Sequence, residues 1–379
     1  MAFIKTRQVY RCSTTGKTSE NYIDVLPKEL TLDPTYVCVP FYNHHRTLFK
    51  EVTIVPWREF VTPEMQKVFK ARIGAHRESK EQLLGRIRTK LEQIILANWK
   101  PNMAHVQFHS SGQDSRMLSW LIRKLYRQRG NKWLGQVAFL CGNMECPYMR
   151  DILKYEGWKE GKHFHIINGK MNPLEYYKDY FLDFKNAWRW INGVQGKPQN
   201  LFWYLPEVAE RQGILPAHYQ TWTSQWGNTL FDDCSGPRGG RGLENIFRKF
   251  YLSQLCSRPK KGDEVIEPYT DTGLAHLVIH SSVRLGKGLR NELVASMDPR
   301  LAQLKRVDAH GDMRTIAGWI LKKMLESYSK SWYSKIHPIP SLPSTTRYLP
   351  AWSYWTAASL CEYLLEHDYK IKIAGSADE

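Results

Sequence analysis

The chain has 379 residues, of which 42% are hydrophobic, 13% aromatic and 24% charged, a composition that excludes a disordered or fibrous protein and leaves room for two domains. Its formal net charge is +17, with 54 Lys and Arg against 37 Asp and Glu, which predicts attraction to polyanions that weakens as salt rises. No apolar run approaches the roughly 20 residues that span a bilayer, and MAFIKTRQVYRC lacks the apolar block of a signal peptide, so a cytoplasmic protein with no membrane partner is expected.

Residues 1–78 carry β-like pieces, TYVCVPFY and EVTIVPW, divided by turn residues, and read as a small strand-rich N-terminal region. Residues 79–379 read as the main domain. It opens with ESKEQLLGRIRTKLEQIILANW, in which Leu84, Ile87, Leu91, Ile94 and Ile95 recur at helical spacing. The pattern then alternates. AHVQFH reads as a strand, and residues 115–129 as a helix with Met117, Leu118, Leu121, Ile122 and Leu125 on one face and Gly130 at its stop. GQVAFLC follows as a strand, PYMRDILKYEG as a helix with Pro147 in its first turn and Gly157 at its end, and HFHIIN as another strand. Such alternation predicts an α/β fold with a doubly wound, mostly parallel sheet, which binds ligands at the carboxyl ends of its strands.

From about residue 172 helical patterns dominate: YYKDYFLDFKNAWRWI, GLENIFRKFYLSQL, HLVIHSSVRL, TIAGWILKKMLESY and WTAASLCEYLLEH. A strand-like GILPAHYQTWT lies among them, so the remainder reads as a helical C-terminal layer against the sheet. The seven cysteines include no C-x-x-C pair and read as reduced structural thiols, Cys141 and Cys146 of CGNMEC included. Glu145 in that segment is a candidate nucleotide or metal contact. His105, His109, His163 and His165 read as members of a polar strand face or of strand ends, and GPRGGRG as a basic loop, either a plain surface loop or one that closes over a phosphate.

The most informative stretch is Ser110-Ser111-Gly112-Gln113-Asp114-Ser115, between a strand and the helix that follows it. Small residues there let the backbone fold tightly, and the first amides of the helix with its positive dipole end form an anion cradle. The hydroxyls of Ser110, Ser111 and Ser115 add donors. Asp114 would repel a phosphate unless a cation bridged the two, which suggests magnesium. The competing interpretation is an ordinary turn with Asp114 or Ser115 capping the helix.

SSGQDS resembles the pyrophosphate loop S-G-G-x-D-S of the PP-loop ATP pyrophosphatase superfamily, with Ser110, Gly112, Asp114 and Ser115 matching and Ser111 in place of the first glycine. EQLLGRIRTKLEQII before the loop, then SQWGNTLF, EPYTDTGLAHLV and GKGLRNEL in that order, is similar to the synthetase domain of asparagine synthetases and β-lactam synthetases over about residues 80–310. The resemblance implies ATP and magnesium. It puts Ser110, Ser111, Gly112, Gln113 and Ser115, with Gly227 and Asn228 of the second motif, at the nucleotide, and makes Asp114 both metal ligand and catalytic. Asn228 stands where the family has a metal-binding Asp, so Asp232 or its neighbour Asp233 is expected to take over that contact. Lys305 or Arg306 would be the basic residue that stabilises the transition state.

The activity implied is an ATP-dependent, adenylating, pyrophosphate-releasing ligase or transferase that joins its substrate to an amine or amino acid. The family's N-terminal cysteine is missing, which argues against glutamine as the ammonia source. The basic charge adds DNA or RNA as partner, with a modified base as the acceptor. Two alternatives stay open. One is an ATP-independent transferase that displaces phosphate or pyrophosphate from a modified base, and the other is a non-catalytic nucleic-acid-binding module.

Overall fold

The structure is a computed structural model that describes residues 9–33, 47–70, 72–129, 137–140, 146–161, 184–185, 188, 210, 212–224, 227–233, 264–305, 322–336 and 348–374. Near the N-terminus, β1 (Tyr10–Cys12), β2 (Thr18–Ser19), β3 (Glu29–Leu32) and β4 (Val52–Ile54) are short strands. β1 pairs antiparallel with β2 on one side and β4 on the other. Tyr10, Cys12, Val52 and Ile54 turn inward at alternating positions, as a half-buried sheet requires.

After α1 (Pro63–Lys70), the long helix α2 (Lys80–Asn98) begins with a capping box in which Ser79 and Gln82 satisfy each other's backbone amides. Its buried face is Leu83, Leu84, Ile87, Leu91, Ile94 and Ile95, matching the periodicity of the sequence. The chain then runs through β5 (Ala104–Phe108), α3 (Gln113–Arg129), β6 (Val137–Leu140) and α4 (Cys146–Tyr155). α4 ends where expected: Gly157 has φ +85°, and the amides of Gly157 and Trp158 return to the carbonyls of Lys154 and Leu153. Helix α3 starts two residues earlier than residue 115, so Asp114 and Ser115 lie inside its first turn.

β7 (Tyr219–Trp222) leads into a wide helical turn, Asn228–Asp233, and β8 (Val265–Ile266) precedes α5 (Thr272–His280), α6 (Gly288–Met297) and α7 (Pro299–Gln303). α5 stops at His280, short of the end of HLVIHSSVRL, because the chain there pairs with another segment. His76 donates its amide to the His280 carbonyl at 2.8 Å, and Ser282 returns one to the His76 carbonyl at 2.8 Å. A helical stretch at 322–328, α8 (Trp332–Ile336), α9 (Tyr348–Glu366) and β9 (Lys370–Ile373) complete the chain, and β9 pairs parallel with β3.

The fold is mixed α/β around a parallel four-stranded sheet of order β6-β5-β7-β8. The chain moves from β5 to β6 on one side and returns to β7 on the other. Therefore the loops that follow β5 and β7 emerge side by side at the carboxyl edge. The register Ala104↔Tyr219, Val106↔Thr221, Gln107↔Trp222 divides the residues between two faces. His105, Gln107, Gln220, Trp222, Phe139 and Ile266 face α2, α3, α5 and α6, whose Leu, Ile and Met side chains form one core. Ala104, Val106, Phe108 and Tyr219 face a second core made with β1, β3, β4 and α9.

Among the described residues no helix is long and apolar enough to cross a membrane. Cys12 and Cys361 are free buried thiols. TYVCVPFY, HFHIIN, GLENIFRKFYLSQL, GPRGGRG, most of YYKDYFLDFKNAWRWI and residues 315–321 lie outside the described residues, as do Cys141, Glu145, His163, His165, Arg306 and the side chains of Cys146, Asn228 and Asp233.

Candidate functional site

The elbow from β5 into α3 is closed by serines. Arg116 donates the first helical bond to the Gly112 carbonyl at 3.2 Å, so the helix is capped at Gly112, and neither Asp114 nor Ser115 is the cap. Ser110 Oγ accepts the Gly112 amide at 3.3 Å, and Ser115 Oγ accepts the Ser110 amide at 3.2 Å. The two hydroxyls are 3.0 Å apart. Ser115 Oγ also lies 2.8 Å from Ser224 Oγ, in the loop after β7, and so ties the two neighbouring loops together. Ser111, Gln113 and Ser115 are buried, whereas Ser110, Gly112 and Asp114 keep partial exposure. The amides of Gln113, Asp114 and Ser115 belong to a first helical turn, where no intrahelical acceptor exists.

Three further segments converge on Asp114. Gly227 lies so close that a Cβ built on it would overlap the Asp114 carboxyl, which explains a glycine at this place in SQWGNTLF. Tyr269 donates its hydroxyl to the Asp114 carbonyl at 2.7 Å. Arg290, in the first turn of α6, donates through Nη1 to Asp114 Oδ2 at 3.2 Å, and through Nε and Nη2 to the two oxygens of Asp232 at 3.0 and 2.6 Å. Burial alone would lower the Arg290 pKa, but the carboxylates of Asp114 and Asp232 more than offset it and hold the guanidinium charged.

The expected magnesium contact at Asp114 and Asp232 does not fit this arrangement. Both oxygens of Asp232 are taken up by the Arg290 fork, Asp114 Oδ2 binds the same guanidinium, and Asp114 Oδ1 is packed against Gly227. Magnesium demands octahedral oxygen ligands at about 2.0–2.1 Å, which would require this ion cluster to open. Among the described residues no group of three or more His, Cys, Asp or Glu side chains is placed to hold a metal. Ser110, Gly112 and Asp114 are the partly exposed members of the loop.

Behind the loop lies a buried polar layer. Arg116, 0% exposed, donates to the carbonyls of Ser111 at 2.9 Å, Leu301 at 2.9 Å and Lys305 at 2.8 Å. It thereby fixes the loop to α7 and to the segment after it. Lys305 thus reaches the site region through its backbone, while its side chain is exposed. His109 Nε2 lies 3.1 Å from Ser119 Oγ, which donates to Glu156 Oε1 at 2.8 Å, and Trp158 donates to Glu156 Oε2 at 3.0 Å. Burial holds His109 neutral, with its pKa lowered to about 3 and the Arg116 charge adding to the effect. Burial pushes Glu156 up to about 8 against the pull of its two donors and of Arg116 and Arg123.

The structure brings together Ser110, Ser111, Gly112, Gln113, Asp114, Ser115, Gly227 and Asp232, and the backbone of Asn228 follows Gly227 in the same turn. Arg290 and Tyr269 were overlooked as individuals, although they stand inside GKGLRNEL and EPYTDTGLAHLV. Arg116 had a weak signal, a charge beside the apolar face of α3, and Ser224 had none. Clefts of about 500 Å³ beside Lys330 and Tyr363 and about 630 Å³ along α2 at Arg86 lie elsewhere on the molecule.

No protein-family model matches the chain, and no curated protein matches it in sequence. Among solved structures it is similar to the U34-tRNA thiolase NcsA from Methanococcus maripaludis with its [4Fe-4S] cluster, at 11% identity and a TM-score of 0.31, over 79% of this chain and 84% of that one.

Proposed function

We propose that the chain is an ATP-dependent enzyme of the PP-loop type that activates an oxygen of a nucleic-acid substrate, releases pyrophosphate and transfers the activated group to an amine or amino acid. The observation that carries this reading is the closure of the loop after β5 onto the loop after β7, through Ser115 and Ser224, with Asp114 held between Gly227 and Arg290. The strand order β6-β5-β7-β8 changes direction between β5 and β7, and in a doubly wound sheet such a reversal is where a ligand crevice opens. In this proposal residues 79–379 form the catalytic domain, asparagine-synthetase-like in its motif order, and residues 1–78 an accessory region.

In this proposal each residue has a role. Ser110, Gly112 and the first-turn amides of α3 bind the phosphates, and the positive end of the helix favours the charge that grows on departing pyrophosphate. A substrate oxygen attacks the α-phosphorus of ATP, the bond to the β-phosphate oxygen breaks, and pyrophosphate leaves. The amine then displaces AMP from the activated atom. Lys305, whose side chain is exposed, or Arg306 would supply positive charge to the transition state. Loss of one such donor costs on the order of 100–1,000-fold in rate. The net charge of +17 supports DNA or RNA as the carrier of the acceptor.

The test is ATP–pyrophosphate exchange in the presence of modified DNA or RNA, with Asp114→Asn expected to lower it at least on the order of 100-fold while the thermal midpoint stays within a few degrees. Full exchange activity in Asp114→Asn sinks the proposal. A second reading is favoured by Arg290, a cation that does not arrive with a nucleotide. Here the loop binds a pyrophosphate already attached to a modified base, which an amine displaces without ATP. Turnover of pyrophosphorylated DNA in the absence of ATP selects this reading. Salt-sensitive DNA binding that Asp114→Asn leaves unchanged, with no turnover of either kind, selects a binding module.

A further inference from the structure

We infer that Arg290 is a built-in cation that takes the place of a divalent metal between Asp114 and Asp232, so that pyrophosphate binds at the loop without a metal held by these two acids. The pyrophosphate half rests on the function proposed above, while the metal half stands on the ion cluster alone.

Geometry is the first ground. Arg290 makes three charge-assisted bonds at 2.6–3.2 Å, two of them as a fork onto both oxygens of Asp232. A planar guanidinium matches a carboxylate in this bidentate way, which a spherical ion does not. Asp114 cannot easily turn to offer another oxygen, because the backbone of Gly227 lies against its carboxyl. The cluster is also sheltered: the side chains of Arg290, Asp114 and Asp232 are 24%, 17% and 10% exposed.

Charge is the second ground. Two carboxylates and one guanidinium leave a single negative charge. Asp114 is in the first turn of α3 and Arg290 in the first turn of α6, where helix ends carry partial positive charge. Each end is equivalent to roughly half a positive charge, which brings the sum near zero. A divalent ion added to the intact cluster would leave it strongly positive and would press against Arg290 in a partly dry site. Removal of the guanidinium reverses the situation, since two facing carboxylates then repel each other and recruit a cation.

The experiment is a Mn²⁺ titration of the full chain followed by electron paramagnetic resonance, paired with calorimetry of inorganic pyrophosphate in EDTA and in Mg²⁺. Wild type is expected to show no Mn²⁺ site that depends on Asp232. Arg290→Met is expected to gain one site, at least roughly tenfold tighter than any in wild type, and to lose it again in Arg290→Met/Asp232→Asn. Wild-type pyrophosphate affinity is expected to be equal in EDTA and Mg²⁺, whereas Arg290→Met binds only with the metal.

A stoichiometric Mn²⁺ site in wild type that Asp232→Asn removes overturns the inference, as does the absence of a site in both wild type and Arg290→Met. If Arg290→Met does not fold, the wild-type titration with Asp232→Asn decides alone, with no site in support and one site against. Pyrophosphate that binds neither protein under any condition removes the loop proposal and leaves the Mn²⁺ result to judge the metal half.

Discussion

The two faces of the parallel sheet do different work with the same strands. On one face Ala104, Val106, Phe108 and Tyr219 meet Leu30, Phe49, Trp355 and Leu360 in an apolar core with β1, β3, β4 and α9. On the other, strand β5 and its extension present His105, Gln107 and His109 in a row, all buried. His105 binds the Lys100 carbonyl and accepts the Trp222 indole N–H, Gln107 donates to the Ser115 carbonyl at 3.0 Å, and His109 reaches Ser119. His105 therefore fixes the turn after α2 and strand β7, while Gln107 and His109 fix two points of α3 relative to the sheet. Apolar contact alone gives stability with loose register, whereas these directional bonds set where the first turn of α3 begins and hence where the loop opens.

If the apolar face is scaffold and the polar face is positioning, damage to each should read out differently. Trp355→Ala makes the largest change: the indole is fully buried and donates to Ser327 Oγ at 2.9 Å, so its truncation costs about 3–5 kcal/mol in stability. Chemical denaturation should show this loss, with the pyrophosphate affinity of the folded fraction unchanged at low temperature. A parallel fall in affinity would break the division between the faces. Gly227→Ala is expected to do the reverse, because its new Cβ pushes the Asp114 carboxyl off Arg290. Such overpacking costs about 1–3 kcal/mol. Calorimetry should place most of it in ligand affinity, and a variant that binds pyrophosphate like wild type refutes the close approach.

The same contrast explains what could be read from the sequence. α2, α3 and α4 were legible because their apolar residues recur at helical spacing and Gly157 marks an end by its positive φ. The loop 110–115 was legible as a strand-to-helix elbow. AHVQFH was harder to place: its alternation suggests a half-exposed strand, yet the structure buries every residue of β5 and gives the polar ones partners in the turn after α2, in β7 and in α3. The Asp114–Arg290–Asp232 cluster joins positions 176 and 58 residues apart, a relation that local spacing does not encode. Sequence reasoning therefore assigned the two acids to a metal, since acids were visible and the cation that neutralises them was not.

The finest test of the positioning face is the pH dependence of Glu156→Gln. Glu156 has a folded pKa of about 8 against an ordinary 4.5, chiefly through burial, so the folded protein holds its proton more tightly than the unfolded chain. The stability that this group contributes is therefore complete below about pH 4.5 and is lost as pH rises through 8. Glutamine mimics the protonated acid. Its carbonyl can accept from Trp158 and its amide can donate to Ser119, whose hydroxyl then turns to the Arg116 carbonyl, already 3.2 Å away. His109 titrates with the opposite sign, with stability present above its ordinary pKa of 6.5 and lost as pH falls toward 3, but it is common to both proteins and cancels in their difference. The variant should melt close to wild type at pH 5 and above it at pH 8, with the gap widening steadily between. Thermal midpoints of the two proteins that stay parallel over that range would mean that Glu156 is ionised in the folded state throughout, and that the layer behind the loop is held by a buried charge pair with Arg116 or Arg123 rather than by neutral hydrogen bonds.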